Sequence, residues 1–261
     1  MARRNSTYGR PAHYLRRIWL DPKKIADRRR YPYNLPLFAD DDFELRFETE
    51  ITIIVGENGA GKSTLLGGIA KLAGYDEARG GKGYRPVDHS RALDVNGGAL
   101  AGAFRASWLP KITQGWFFRA ESFFSVARYL DVAAVDVGAV PPNFLSRSHG
   151  EGFLRFFAER CERQGIYLFD APESALSPER EIEFLKLLRR MRDSRKCQVI
   201  MATHSPLLMA MPGATLLRLT EGEMREARLE DIEHFRILRK FYADPDEFMA
   251  TRVEEDRMIR S

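Results

Sequence analysis

Gly56-Glu57-Asn58-Gly59-Ala60-Gly61-Lys62-Ser63 fits the pattern GxxxxGK[ST] without a mismatch, and Thr64 follows it. These residue types at this spacing bind phosphate. The glycines let the backbone turn with its amides aimed at phosphate oxygens, and the N-terminus of a following helix adds its positive end. Lys62 reaches the β- and γ-phosphates of a nucleoside triphosphate, and the Ser63 hydroxyl is a Mg²⁺ ligand. Farther on, Ile166-Tyr167-Leu168-Phe169-Asp170 is an apolar stretch that ends in a carboxylate. Asp170 would hold Mg²⁺ through water, from a strand beside the phosphate loop.

Both pieces need elements that position them. Ile51 to Val55 is a short apolar run, as expected of a buried parallel strand leading into the glycine-rich turn. A helix follows from Lys62 to Leu72. Upstream, His13 to Leu20 reads as a strand stopped by Asp21-Pro22, Tyr31 to Pro36 as a loop, and Phe43 to Phe47 as a half-exposed strand. Gly74 to Gly102 is rich in glycine and charge and reads as a long surface loop. Gly115 to Phe118 reads as a strand, Ser122 to Val137 as an amphipathic segment, Gly138 to Ser148 as a connection, and Gly150 to Arg163 as a helix. Ser177-Pro178-Glu179 starts a helix that runs to Arg192. Cys197 to Ala202 is a second buried strand. Thr215 to Leu219 and Met224 to Ala227 form a hairpin, and the remainder is helical and charged. The pattern is α/β.

The 261 residues are 44% hydrophobic and 30% charged, which allows a sizeable core and excludes overall disorder. Cys161 and Cys197 both lie in apolar stretches and read as buried thiols of a cytoplasmic protein. No apolar run reaches the roughly 18–20 residues of a membrane helix. The first 17 residues are charged and lack the apolar core of a secretory signal. Residues 1–34 hold ten Lys/Arg, among them Arg28, Arg29 and Arg30, against Asp21 and Asp27. That segment is +8 and the whole chain +4, so residues 35–261 carry −4. Two readings fit the basic segment: a footprint for nucleic acid or another polyanion, or a solvated, charge-guarded edge.

The ordered set is the phosphate loop, then Ser148-His149-Gly150-Glu151, then the stretch from Phe169 to Pro178, then Ala202-Thr203-His204-Ser205. This set resembles an ABC-type ATPase. The closer likeness is to the soluble, non-transporter branch of SMC and RecF heads, and within it to short predicted bacterial ATPases. The likeness extends to Tyr31–Pro36 and to Phe117–Phe124 and spans nearly the whole chain.

It implies a P-loop NTPase with ABC-ATPase head architecture over residues 1–261: a RecA-like core sheet, an antiparallel β subdomain, and a small helical subdomain inserted at about 103–163. Only 26 residues separate Glu121 from Ser148, so no coiled-coil arm fits there. The resemblance further implies Mg-ATP as the bound group and a homodimer that sandwiches it. Ser148, Gly150 and Glu151 of one head would meet the γ-phosphate on the other. His204 would be the switch histidine, and Ser174 to Ser177 a dimer-contacting loop. Arg119 and Glu121 both stand near the glutamine-loop position, with Glu121 preferred as the polar group near Mg²⁺. Tyr33 is the candidate for stacking on adenine, with core packing as the other reading.

The chain departs from that pattern at one place. Relatives usually read DEP after the metal strand, and here the sequence is Asp170-Ala171-Pro172. Alanine cannot polarise the attacking water, and losing a general base costs about 10²–10⁴ in rate. Glu173 is read as a dimer-face residue rather than a replacement. The expected activity is slow ATP hydrolysis by a dimerising switch acting on nucleic acid or a co-encoded effector protein. The alternatives are a transporter's nucleotide-binding subunit and a non-hydrolysing ATP sensor.

The phosphate loop generates a direct test. Lys62→Ala removes the cation from the β- and γ-phosphates, and a fluorescent-ATP titration should show binding lost. Unchanged affinity would refute the assignment.

Overall fold

The computed structural model describes residues 12–75, 96–119, 152, 154–155, 157–158, 161, 163–220 and 222–259. The first part runs β1 (Leu15–Leu20), β2 (Glu44–Arg46), β3 (Ile51–Gly56), α1 (Lys62–Ala73), α2 (Asn96–Ala103), β4 (Phe104–Trp108) and β5 (Gly115–Arg119). The second part runs β6 (Gly165–Asp170), α3 (Pro178–Asp193), β7 (Cys197–Ala202), α4 (Pro206–Met209), β8 (Thr215–Thr220), β9 (Glu223–Glu226), α5 (Glu233–Ala243) and α6 (Pro245–Ile259).

The strands form two sheets. The larger has the order β5-β6-β7-β3-β8-β9, parallel except for β9. Its central strands read as continuous apolar runs because both faces are covered. Side chains alternate between the faces. Ile54, Leu168, Ile200 and Ala202 share one core with Leu65, Leu66 and Ile69 of α1. Ile53, Val55, Tyr167, Phe169, Val199 and Met201 share the other with Phe184, Leu187, Leu188 and Met191 of α3. Phe169 anchors the second core, with ring centroids 5.1 Å from both Phe157 and Phe184.

The smaller sheet is antiparallel, in the order β2-β1-β4. Buried Gln198 of β7 ties it to the main sheet. Its amide accepts from Leu15 N at 2.8 Å and donates to Leu15 O at 2.9 Å. The expected α/β P-loop architecture with an antiparallel β part is therefore present.

Two local expectations fail. Residues 96–103, expected within a surface loop, form α2, and its Leu100 and Ala103 are buried. The close approach comes from the α1 side of this pair. A Cβ on Gly68 of α1 would lie 3.0 Å from Leu100 and 2.9 Å from Phe104. Residues 104–108, within the expected helical insertion, form a strand of the smaller sheet, whereas 115–119 form the strand expected at Gly115 to Phe118. The expected segments 122–137 and 138–148 lie outside the described residues. Cys161 and Cys197 are both buried, and the Cys197 thiol donates to Cys161 O at 3.2 Å. No described helix is long and apolar enough to cross a membrane.

Candidate functional site

The phosphate loop begins where β3 ends. Gly56 passes β8 so closely that a Cβ there would lie 2.6 Å from Leu219 O. Gly59 and Gly61 have φ of +81° and +100°, the left-handed turn that glycine adopts without strain, and Gly61 caps α1. Lys62 folds back over its own loop. Its ammonium donates to the carbonyls of Gly56 at 2.7 Å and Glu57 at 2.8 Å. Burial pushes its pKa down, opposed by the charges of Asp170, Glu57 and Glu173.

β7 lies between β3 and β6, so the metal-side residues reach the loop across one strand. Ser63 Oγ donates to Asp170 Oδ1 at 2.9 Å. Arg119 ends β5 directly opposite Asp170, and its Nε donates to Oδ2 at 3.2 Å. A hydroxyl beside a carboxylate fits Mg²⁺. That ion takes one or two carboxylates and completes its shell with phosphate and water.

Ala171 has φ 48° and ψ 53°, a left-handed conformation unusual for a residue with a Cβ. Its N–H donates to Ala202 O at 3.0 Å. Next to it, Glu173 spans two loops. Its carboxylate accepts from Thr203 Oγ1 and from His204 N, each at 2.7 Å. Both oxygens accept hydrogen bonds within the chain. Thr203 Oγ1 in turn accepts from Ser205 N at 3.0 Å, and the Ser205 hydroxyl donates to Glu181. Burial raises the Glu181 pKa, and that hydrogen bond opposes the rise.

A cleft of about 440 Å³ gathers these groups. Asn58, Gly59, Gly61, Lys62, Ser63, Thr64, Asp170, Ala171, Ser174 and His204 all line it. Tyr33 does not. Its hydroxyl donates to Ala99 O at 2.7 Å and its ring packs on the core. Tyr31, two residues earlier, lines the cleft and shares a 2.6 Å hydrogen bond with Thr64 Oγ1. Both tyrosines flank Pro32, so residue type alone does not separate them. Glu121, Ser148, Gly150 and Glu151 lie outside the described residues.

A larger hollow of about 530 Å³ between α5 and α6 shares no residue with this cleft. The basic triplet also divides. Arg28 is tied to Phe38 O, Ala39 O and Asp41, whereas the side chains of Arg29 and Arg30 are 96% and 83% exposed.

Comparison with known proteins places this site in a family context. Residues 142–210 match a family described as "AAA domain, putative AbiEii toxin, Type IV TA system", and residues 34–98 match one described as "AAA domain". The chain is 27% identical over 206 residues to the molybdenum import ATP-binding protein ModC of Mesorhizobium japonicum, covering 71% of this chain and 54% of ModC. It is 34% identical over 72 residues to the OLD nuclease of Thermus scotoductus, covering 28% of this chain and 14% of the nuclease. The chain thus spans about half of one relative and a small part of the other. Among solved structures, cbiO1 from Clostridium perfringens, part of the ABC transporter complex cbiONQ, aligns at 16% identity with a TM-score of 0.46. That alignment covers 81% of this chain and 91% of cbiO1.

His204 supplies a pH test of the cleft. Burial first, then the Lys62 charge, holds its pKa below the ordinary 6.5, while Glu173 opposes. The folded ring therefore binds fewer protons than the unfolded one near and below 6.5. Its contribution to stability is full above 6.5 and is lost as the pH falls through the folded value. An NMR titration should give a His204 midpoint below 6.5, and Lys62→Met should raise it. A midpoint indifferent to Lys62 would contradict this geometry.

Proposed function

We propose that this chain, two segments of which match AAA domain families, is an ABC-like P-loop ATPase that binds Mg-ATP and acts as a dimerising switch turning ATP over slowly. The observation that carries the reading is the convergence of Lys62, Ser63, Asp170 and His204 on one cleft. When bound, Mg²⁺ would neutralise charge between the β- and γ-phosphates, with Ser63 and Asp170 holding it. Lys62 would exchange the Gly56 and Glu57 carbonyls for phosphate oxygens. Glu173 fixes the backbone of His204 at the cleft wall, where a neutral imidazole would meet the γ-phosphate. The resemblance of Ser148 to Glu151 to an ABC signature supports completion of the site by a second copy.

Ala171 limits the chemistry. It stands in the cleft beside Asp170 with no group able to take a proton from water. The bound state would then outlast each encounter with ATP, which suits a switch that grips a partner. The exposed Arg29 and Arg30 favour a polyanionic partner such as nucleic acid. The likeness to ModC favours a second reading, a transporter's nucleotide-binding subunit. Identification of what co-purifies with the ATP-loaded chain separates the two.

Steady-state phosphate release, parent against Ala171→Glu, tests the catalytic part. The glutamate should raise kcat by at least about tenfold, as a share of the ~10²–10⁴ a positioned base supplies. Ordinary turnover by the parent would mean another group acts as the base. Light scattering should show dimers only with Mg-ATP, and Ala171→Glu should shorten their lifetime. A parent that binds ATP and stays monomeric at saturation would overturn the switch.

A further inference from the structure

Asp170 has a cation beside it other than Lys62. Arg119 ends an outer strand of the main sheet, and the parallel register fixes it opposite Asp170. Its Nε lies 3.2 Å from Oδ2, with the two side chains only 10% and 9% exposed. The other oxygen, Oδ1, accepts from Ser63. The two side chains assigned to Mg²⁺ are therefore bonded to each other, and a guanidinium holds the remaining oxygen.

Two consequences follow from the burial. A carboxylate this enclosed needs a partner charge, and Arg119 supplies one without any metal. A divalent ion arriving at Asp170 then meets a positive charge that water screens poorly. It must share or displace the ion pair.

Building on the Mg-ATP reading, we propose that Arg119 is a metal-competing cation: it holds Asp170 in place of Mg²⁺ and lets nucleotide enter metal-free. Metal capture then becomes a separate, weakened step. Arg119 acts here through Asp170, as a positioning residue. The structure thus assigns it a task other than the glutamine-loop sensor role, which is directed at the γ-phosphate.

Nucleotide and metal binding are reciprocally linked, so the factor by which Mg²⁺ tightens nucleotide reports the competition. A fluorescent, non-hydrolysable ATP analogue is titrated into the full chain in chelator and in Mg²⁺, for parent, Arg119→Met and Arg119→Lys. The tightening factor should be at least about tenfold larger in Arg119→Met, the scale on which one neighbouring charge shifts a carboxylate equilibrium. Arg119→Lys, which keeps the charge, should stay close to the parent. Equal factors in parent and Arg119→Met overturn the proposal, as does a Lys variant that behaves like Met. If Arg119→Met is unfolded in chelator, Mg²⁺ with the analogue should restore its melting transition. A chain that stays unfolded in both overturns the proposal too. A parent that binds no analogue under either condition defeats the Mg-ATP reading itself.

Discussion

The charge on Asp170 is the constraint around which the cleft is arranged. A carboxylate that is 8% exposed costs several kcal/mol unless it is paired and hydrogen-bonded. The chain meets that requirement from two directions. Ser63 comes from the first turn of α1, and Arg119 comes from the end of β5. Both donors depend on strand register: β6 aligned with β5 on one side and with β7 on the other. A slip of one residue would send Asp170 to the opposite face, into the apolar core of α3. The packing of Phe169 against Phe157 and Phe184 resists that slip. Apolar packing thus fixes the position of the polar site.

The loops past β6 form a second rigid unit. Glu173, Thr203, Ser205 and Glu181 make a chain of hydrogen bonds linking the end of β6, the end of β7, and the starts of α3 and α4. Ala171 sits at the head of this unit in a left-handed conformation, which costs on the order of 1–2 kcal/mol for a residue with a Cβ. That backbone is over-determined by its bond to Ala202 and by the Glu173 brace. The position is therefore pre-shaped whatever side chain occupies it.

Legibility in the sequence followed the range of the forces involved. The phosphate loop could be read because its chemistry restricts four positions within eight consecutive residues, Gly56, Gly61, Lys62 and Ser63. The strands carrying Val55 and Asp170 could be read because two covered faces demand unbroken apolar runs. Helix α2 was hidden, since its glycines suggest a loop and, among its described residues, only Leu100 and Ala103 are buried, while the glycine that meets Leu100 is Gly68 of α1. The choice between Tyr31 and Tyr33 depends on how one loop crosses α1 and α2, which no local pattern encodes. The Arg119–Asp170 pair joins residues 51 positions apart and appears only once β5 finds its register.

The place of β7 between β3 and β6 has a consequence for assembly in time. Ser63 and Asp170 are 107 positions apart, and the strand that spaces them is made last of the three, at residues 197–202. A growing chain that has reached Asp170 has both halves of the site and no means of joining them. The halves are brought into contact only when β7 inserts and pairs on both edges at once. Closing so long a loop is slow compared with local helix formation. Until then Asp170 stays hydrated. Competence for the nucleotide therefore arrives late and in one step, so nascent chains gain no early protection from cellular ATP.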